Sequence, residues 1–327
     1  MKKATETVAR SLKEKVERLT EDLNGPVALV EPRNVEWLTG FRGRAVYVDD
    51  DDVTLVVSKM DRPAVREWPV PDDVEVIDDP SDLKPARAVD SRKACDVVPV
   101  YRPRIVTRSV TKVRLSKTGP ELKLLRDLVD RTVKAFERVS PPEGPETDVE
   151  LELRGDAASE GLRPSFDPIV AYDGAAGVPH HVPSPVEGWE EVALVDHGLK
   201  CYLCTDVTRV WVKGSEAERV ADLVSEALDA ALDVLEPGVE PKEVSKEAEE
   251  VLKDAPDGYE FLHSLGHHVG VSVHEAGFDE GFPENCVITV EPGLYSERLG
   301  VRIEEMVVVR EGGPEVLTEG LPRVMEP

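Results

Sequence analysis

The residues best suited to chemistry lie within 263–305, in HSLGHHVGVSVHEAG followed by ITVEPGLY and GVRIEEMVVV. Two glutamates, Glu291 and Glu304, each interrupt an apolar, strand-like run. A buried strand does not accept a lone carboxylate, because taking the charge out of water is costly unless it is paired. All 7 histidines of the chain lie between His180 and His274. Carboxylates in apolar strands beside clustered histidines indicate metal ligands.

Two aspartates precede this stretch in EVALVDHGLKCYLCTDVTRVWV, which predicts two antiparallel strands with a short turn near Gly198–Lys200. Asp196 ends the first strand and Asp206 lies in the second, so the two can face each other on one side of the sheet. Facing carboxylates repel, and cations between them are the simplest explanation. The four carboxylates and one imidazole that could meet in this way are Asp196, Asp206, Glu291, Glu304 and His267. Two divalent ions would balance their charge, and so many carboxylates favour Mn, Fe or Co, with Zn possible.

Each of these residues also has a simpler explanation when it is taken alone. Asp196 could be a turn residue, and Asp206 could pair with Arg209. His267 could be structural in its glycine-rich loop. A glutamate before Pro-Gly could lie at a strand edge, and Glu304 could be the solvated member of a Glu-Glu pair. All five simple explanations would have to be true at once. The order and spacing of the five residues match one pattern, which disfavours this.

The composition limits the possible partners. A chain of 327 residues has room for two domains with large cores. The balance of 40 basic to 66 acidic residues gives −26, which argues against nucleic acid or an anionic membrane as a partner. The basic N-terminus has no apolar segment and does not resemble a signal peptide. No apolar run approaches the ~20 residues that span a bilayer. We therefore expect a cytoplasmic location.

The four cysteines do not form the framework of a small secreted protein. Cys201 and Cys204 form one Cys-x-x-Cys motif. A structural zinc would need a second pair nearby, and a redox pair would need a helix N-terminus. We find neither, so we interpret both cysteines as strand residues without redox or metal roles.

The first third of the chain predicts a small α/β domain. Residues 4–22 predict a helix, because Val8, Leu12, Val16 and Leu19 recur about once per turn. PVALVEP, AVYVDDDDVTLVVSKM and VEVID predict strands. The polar stretch VTRSVTKVRLSKTG predicts a connector. This pattern predicts an N-terminal domain over 1–112 and a second domain over 113–327.

The second domain repeats one plan: a long helix, a Pro/Gly break, a short helix and strands. Capping boxes at Thr118–Glu121, Thr147–Glu150 and Ser215–Glu218 predict helices that run to about Val139, Glu160 and Leu235. A further short helix is predicted over about 241–253. The repeated order predicts an internal duplication, with two α+β halves related by a pseudo-two-fold axis. A site between such halves would draw its ligands from both.

Several motifs resemble those of a known family. DHG with TDxTR, GHHVGxxxHE, VEPG and RIEE are similar, in this order, to those of the two-metal "pita-bread" peptidases: methionine aminopeptidase, aminopeptidase P and prolidase. They cover residues ~118–327. NVEWLTGF at 34–41 resembles the N-terminal domain of the aminopeptidase P, prolidase and creatinase branch, which methionine aminopeptidases lack. The resemblance implies an α/β N-terminal domain plus an α+β pita-bread domain, a homodimer, and hydrolysis of the bond before proline.

The resemblance also implies a metal-binding role for each matching residue. Asp196 would chelate one metal. Asp206 and Glu304 would bridge both metals. His267 and Glu291 would bind the second. The family uses two divalent ions, of which Mn or Co fit this donor set best and Fe or Zn are possible.

Further roles follow from the same resemblance. A hydroxide between the two metals would attack the scissile carbonyl, and Glu291 would take and relay the proton. His180, in GVPHHVPSP, and His274, in VHE, would stabilise the oxyanion and hold the substrate. Arg302 would support the substrate site by orienting a carboxylate ligand. Phe166 would line an apolar pocket for proline.

The other histidines match no functional position of the family. We interpret His181, His197 and His268 as surface or packing residues. His263 lies four residues before the candidate ligand His267. We place it between a functional residue and a packing residue, because a histidine at this spacing often lies near such a site.

The chain departs from the family pattern in three places. Asp196 and Asp206 are 10 positions apart, one fewer than the family usually shows. If the shorter connection did not keep the strands facing, Asp196 would be misaimed. CYLCT stands where the family usually has Gly-Tyr, and His268 replaces a glycine and could crowd the cleft.

Two alternatives to a Xaa-Pro aminopeptidase or Xaa-Pro dipeptidase stay open from the sequence. A creatinase-like hydrolase works without metal and does not keep the five ligands, all of which are present here. The second alternative is a binding protein that has kept the fold and lost catalysis. The shortened hairpin and His268 favour this alternative. Such a protein should not hold two divalent ions. The sequence does not choose between dipeptides and longer peptides as substrates.

Overall fold

The structure is a computed structural model that describes residues 2–21, 23, 25–67, 70–277 and 280–327. It divides into two compact units, Met1–Leu124 and Leu125–Pro327. The division falls inside a helix that begins at Gly119, whereas the sequence pattern places a boundary at 112/113. The assignment of 1–112 and 113–327 as domains stays a prediction.

The first unit is an α/β arrangement. Its elements are α1 (Lys2–Thr20), β1 (Val27–Leu29), α2 (Pro32–Thr39), β2 (Ala45–Asp49), β3 (Asp52–Val56), α3 (Arg62–Glu67), β4 (Val74–Ile77), β5 (Ala86–Val89), β6 (Val100–Ile105) and α4 (Thr107–Leu115). The strands form a sheet in the order β4-β3-β2-β1-β5-β6. Helix α1 buries the apolar stripe that its sequence predicts, since Val8, Leu12, Val16 and Leu19 are at most 5% exposed.

Helix α4 corrects the sequence prediction of a polar connector. The segment buries Val110 and Leu115 together with the charged Arg114. Arg114 hydrogen-bonds Asn34 Oδ1, and Asn34 Nδ2 donates to Asp90 Oδ2 at 2.7 Å. The polar composition therefore serves a buried network whose partners lie far away in the chain, and a local pattern does not show them.

The capping box at Thr118–Glu121 forms as predicted. Thr118 N and Oγ1 both donate to Glu121 Oε2 at 2.9 Å, and Glu121 N donates back to Thr118 Oγ1 at 3.4 Å. The other carboxylate oxygen, Oε1, lies 2.9 Å from Lys15 Nζ, and both side chains are 1% exposed. Burial raises the pKa of Glu121, but the charge and hydrogen bond of Lys15 outweigh it, so the pKa is lowered.

We expect Lys15→Met to lower the free energy of unfolding by about 3–5 kcal/mol, because it leaves the buried Glu121 carboxylate without its counter-charge. Denaturant titration measures the change. Lys13→Met is the matched control on the same helix, since the Lys13 side chain is 83% exposed, and we expect it to change stability by about 0.5 kcal/mol at most. A loss below about 1 kcal/mol for Lys15→Met would show that the ion pair contributes little.

The second unit carries the candidate chemistry. Its elements are α5 (Gly119–Arg138, which begins in the first unit), α6 (Glu146–Ser159), β7 (Arg163–Pro164), β8 (Ile169–Tyr172), β9 (Val192–His197), β10 (Leu199–Lys200), β11 (Val207–Val212), α7 (Ser215–Asp233), α8 (Pro241–Leu252), β12 (Val287–Val290), β13 (Gly293–Tyr295), β14 (Gly300–Arg302), β15 (Glu305–Val308), β16 (Glu315–Val316) and β17 (Val324–Met325). A long helix, a short helix and antiparallel strands occur twice: α5 and α6 before β8 and β9, then α7 and α8 before β12 and β15.

Two of the predicted helix caps are wrong, although the helices form. The residues that precede α6 and α7 are Pro145 and Gly214, and neither position has a side-chain cap hydrogen bond. Helix α6 begins at Glu146, so Thr147 lies inside its first turn and not at its cap. The S/T-x-x-E pattern alone did not separate these cases from the true box at Thr118.

The strands that carry the candidate ligands belong to separate small sheets. One sheet has the order β17-β11-β9-β8, a second has the order β12-β15-β16, and β13 pairs with β14. Among the described helices, none has both the length and the apolar content of a membrane span.

Candidate metal centre

The β9–β11 hairpin positions the two aspartates. The strands are antiparallel, with Asp196 opposite Thr208. Asp206 lies two residues before Thr208, so both aspartates point to the same face of the sheet. Gly198 permits the close turn, because a Cβ at this position would lie 1.8 Å from Thr205 O. The shorter connection thus leaves Asp196 and Asp206 on a common face.

The second pair of strands brings the remaining candidates to the same place. Glu291 directly follows β12, and Glu304 directly precedes β15, the strand that pairs with β12. One ligand atom each from Asp206, His267 and Glu304 lie within 4.8 Å of one another. His267 Nε2 is 3.3 Å from Asp206 Oδ2 and 3.6 Å from Glu291 Oε1. Residues from two distant parts of the chain therefore meet in one cluster.

The carboxylates of this cluster are crowded and removed from water. Burial raises the pKa of Asp206 well above its usual range, and the charges of Asp196 and Glu291 raise it further. The pKa of Glu304 is raised well above its usual range by burial and by the charge of Asp206. Burial also raises the pKa of Glu291, although Arg302 and His267 oppose the change. Four carboxylates share one arginine, Arg302, so the ionised cluster carries an excess of negative charge.

The donor set fits divalent cations. Asp196 is 8% exposed, and its Oδ1 atom is buried with no hydrogen-bond partner among the described residues. An unsatisfied buried carboxylate oxygen in a cluster of like charges is stabilised by a cation. Oxygen-rich ligation with one imidazole suits Mn, Fe or Co, and Zn is compatible.

A buried arginine fixes two members of the cluster. Arg302 Nη2 donates to Asp196 Oδ2 at 2.7 Å, and Arg302 Nε donates to Thr208 Oγ1 at 3.1 Å. Thr208 Oγ1 in turn donates to Glu304 Oε2 at 2.9 Å. This chain of hydrogen bonds orients Asp196, from the β9–β11 pair, and Glu304, from the β12–β15 pair. Thr208 is the second threonine of TDVTR, and the sequence reasoning did not give it a role.

The same arginine leads to His263 through Tyr295. Arg302 Nη1 donates to Tyr295 Oη at 3.1 Å, and Tyr295 Oη is 2.6 Å from His263 Nε2. His263 Nδ1 is 2.9 Å from Ser264 O. Because a carbonyl oxygen only accepts, Nδ1 carries the hydrogen, and Nε2 accepts from the tyrosine. Burial and the charge of Arg302 lower the pKa of His263 to about 4, although the bond to Ser264 opposes them. The sequence gives Tyr295 no role, although it lies only four residues after Glu291.

The two candidate substrate histidines lie at the edge of the cluster. The His274 ring is 4.1 Å from the His267 ring, and partial burial and the charge of His267 lower its pKa, with His180 adding to the effect. His180 is exposed. It follows Pro179, whose carbonyl oxygen is 3.4 Å from Arg302 Nη1. Two rings with N–H groups are thus available to a ligand beside the metal-ligand candidates.

Phe166 is half-buried beside the hairpin. The preceding Ser165 N donates to Gly198 O at 2.9 Å, two residues after Asp196. This places the backbone of Phe166 near the hairpin turn. Its role in a proline pocket stays a prediction.

Two of the simpler explanations for these residues are wrong. Arg209 does not pair with Asp206, because its Nη2 donates to Glu305 Oε2 at 2.9 Å. Glu304 is not solvated, since it is 1% exposed and Glu305 is 2% exposed. Arg209 Nη1 also donates to Glu304 O at 2.5 Å. The two adjacent glutamates therefore have different partners. Glu305 pairs with Arg209, and the side chain of Glu304 lies in the cluster.

The remaining histidines lie outside the cluster. His197 is fully buried and its ring nitrogens have no hydrogen-bond partner in the described part of the chain. Burial and the charge of Arg154 lower the pKa of His197 to about 3. His268 is buried with its ring 5.6 Å from that of Phe282. His268 therefore packs against Phe282, whereas the His267 ring contacts that of His274.

The Cys-x-x-Cys motif lies outside the strands, which corrects its placement by sequence. Cys201 and Cys204 fall between β10 and β11, and neither forms a disulfide. Burial raises the pKa of the Cys201 thiol, which disfavours the reactive thiolate.

Comparisons with known proteins identify the family to which the chain is similar. A model described as "Metallopeptidase family M24" matches residues 123–311. The chain is 27% identical over 346 aligned residues to the Xaa-Pro dipeptidase of Pyrococcus furiosus, covering 94% of this chain and 98% of that protein.

Solved structures agree on the fold. The prolidase from Pyrococcus horikoshii OT3 has a TM-score of 0.77 and 25% identity, covering 93% of this chain and 98% of that one. The X-Pro aminopeptidase from Thermotoga maritima MSB8 has a TM-score of 0.76 and 24% identity, covering 93% of this chain and 97% of that one. At this identity the likeness concerns the fold only. The predicted pita-bread fold class is confirmed. Because the family model matches more than half of the chain, over the range that contains the candidate ligands, this protein belongs to metallopeptidase family M24.

Proposed function

We propose that this chain is a metal-dependent peptidase that hydrolyses the bond between an N-terminal residue and a following proline. The observation that carries the proposal is the convergence of Asp206, His267 and Glu304 in one cluster, with Asp196 and Glu291 close enough to raise the pKa of Asp206. Relatives named Xaa-Pro dipeptidase and prolidase support the substrate class. The proline nitrogen carries no hydrogen, so peptidases that pair with the substrate backbone recognise this bond poorly.

The five candidate ligands would hold two divalent cations. Asp206, His267 and Glu304 would hold them at the centre of the cluster, and Asp196 and Glu291 would complete the ligand set. When bound, the cations would polarise the scissile carbonyl and supply an activated water at neutral pH. We propose Mn or Co as the working metal, with Fe or Zn as alternatives.

The side chains around the cluster would move and stabilise charge during hydrolysis. Glu291 would take the proton of the attacking water and deliver it to the departing proline nitrogen. His180 and His274 would donate hydrogen bonds to the carbonyl oxygen as it becomes negative. Arg302 would hold Asp196 in place through its 2.7 Å contact. Phe166 would contact the proline ring.

The direct test is peptide hydrolysis after chelation and addition of Mn or Co. We expect release of the N-terminal residue from Xaa-Pro dipeptides, from longer peptides that begin Xaa-Pro, or from both. The matched Xaa-Ala substrates control for general aminopeptidase activity. Release from dipeptides only would make the chain a dipeptidase, and release from longer peptides would make it an aminopeptidase. Hydrolysis of neither Xaa-Pro substrate would contradict the proposal.

We further propose a homodimer located in the cytoplasm. The observed cluster disfavours the alternative of a creatinase-like hydrolase or an inactive binding protein. No candidate ligand is replaced, and the features that supported the alternative, the shortened hairpin and His268, do not disturb the cluster.

A further inference from the structure

The segment 178–186, Val-Pro-His-His-Val-Pro-Ser-Pro-Val, carries His180. Its Pro179 carbonyl oxygen contacts Arg302, and the charge of His180 acts on His274, so His180 lies beside the candidate site. Val178, Val182 and Val186 are 54%, 78% and 55% exposed, so these three apolar side chains do not anchor the segment. A side chain that acts in a transition state must be held in place by other groups. Polar contacts are therefore needed to hold His180.

The side chain of Glu146, the first residue of α6, makes the most side-chain hydrogen bonds to this segment, and backbone bonds from Glu146 N to Val186 O and from Thr147 N to Ser184 O add to them. It is 0% exposed, and its Oε2 accepts hydrogen bonds from Ser184 N and Ser184 Oγ, both at 2.8 Å. His181 Nε2 lies 2.7 Å from the same oxygen. The other oxygen, Oε1, accepts from Tyr172 N at 2.8 Å, which ties the carboxylate to β8. The N-terminal end of a helix also favours a negative charge.

The backbone is anchored on both sides of His180. On one side, Arg302 Nη1 donates to the carbonyl oxygen of Pro179 at 3.4 Å. On the other side, Glu146 holds His181, the next residue. Arg302 is also the residue that orients Asp196. The anchors thus fix His180 relative to the metal-ligand candidates.

We propose that Glu146 is a positioning residue for His180, acting through His181 and Ser184. This inference rests on the proposed function, because it requires His180 to contact the reacting carbonyl. Glu146 itself touches neither substrate nor metal. Its loss should lower the rate of the chemical step and leave substrate binding nearly unchanged, since His180 would be needed mainly in the transition state.

The test compares Glu146→Gln in two backgrounds, the wild-type chain and His180→Ala, with Xaa-Pro peptide hydrolysis as the assay. In the wild-type background we expect kcat to fall roughly 10- to 100-fold, with KM changed about threefold at most. In the His180→Ala background we expect no further fall, because the residue that Glu146 positions is already absent. Asp148→Asn, an exposed change on the same helix, is the control and should leave kcat unchanged.

Two other measurements separate positioning from a general structural role. Metal content should stay at the wild-type level in Glu146→Gln, since Glu146 is not a candidate ligand. If Glu146→Gln does not fold, as judged by thermal unfolding, His181→Phe removes one of the same hydrogen bonds at similar size and should show the same pattern.

The outcomes distinguish this inference from the proposed function. An equal fall in kcat in both backgrounds would overturn the inference, because Glu146 would then act independently of His180. Unchanged kcat in Glu146→Gln or His181→Phe would also overturn it. If His180→Ala itself leaves kcat unchanged, the role of His180 in the proposed function fails, and this inference fails with it.

Discussion

Glu291→Gln is expected to reduce Xaa-Pro hydrolysis by a factor of about 10³ or more, because it removes both a proton acceptor and an anionic metal ligand. Glu291 Oε1 lies 3.6 Å from His267 Nε2 and accepts a hydrogen bond from Thr289 Oγ1 at 3.1 Å. Glutamine has the same shape and keeps an oxygen that can accept from Thr289. The fold should therefore survive while the chemistry is lost.

Steady-state kinetics and thermal unfolding together check the Glu291 prediction. We expect kcat to fall while the unfolding temperature stays close to that of the wild-type chain. Glu319→Gln, an exposed change of the same chemical kind, should leave both unchanged. Wild-type turnover in Glu291→Gln would remove Glu291 from the mechanism.

Asp206→Asn should abolish high-affinity metal binding and reduce hydrolysis by at least about 10³-fold, because a neutral amide is a poor ligand for divalent cations that prefer carboxylates. Asp206 is 5% exposed, and its ligand atom lies within 4.8 Å of those of His267 and Glu304. Asp206 therefore lies at the centre of the candidate ligand set, and its loss should weaken metal binding as a whole.

The metal-free form gives an independent check on the Asp206 prediction. Asp206 is buried among other carboxylates, which raises its pKa, so its ionised form opposes folding in the absence of cations. We expect metal-free Asp206→Asn to be at least as stable to denaturant as the metal-free wild-type chain. Asp222→Asn, exposed on α7, is the control for metal content and activity. Full metal content in Asp206→Asn would contradict the account.

Features that depend on local patterns could be predicted from the sequence. The apolar spacing in α1 places Val8 and Leu12 in the core, as observed. The facing of Asp196 and Asp206 follows from strand alternation, and the antiparallel register agrees. These predictions succeed because periodicity and hairpin pairing are decided within a few residues.

Features that depend on distant partners could not be predicted in the same way. Helix α4 reads as a polar connector because the partner of Arg114 is Asn34, far away in the chain. Glu146 and His181 were given no role, since their contact joins α6 to the segment that carries His180. Tyr295 becomes significant only when Arg302 and His263 are placed around it. A hydrogen-bond network between remote segments has no local sequence signature.

We propose that five side chains together hold two divalent cations: Asp196, Asp206, His267, Glu291 and Glu304. Metal analysis of the chelated chain after it has been reloaded with Mn or Co and dialysed tests this claim most directly. The account predicts two ions per chain, with Xaa-Pro hydrolysis returning as the ions are bound. A chain that binds no ion after reloading, or that hydrolyses Xaa-Pro peptides at full rate while metal-free, would contradict it.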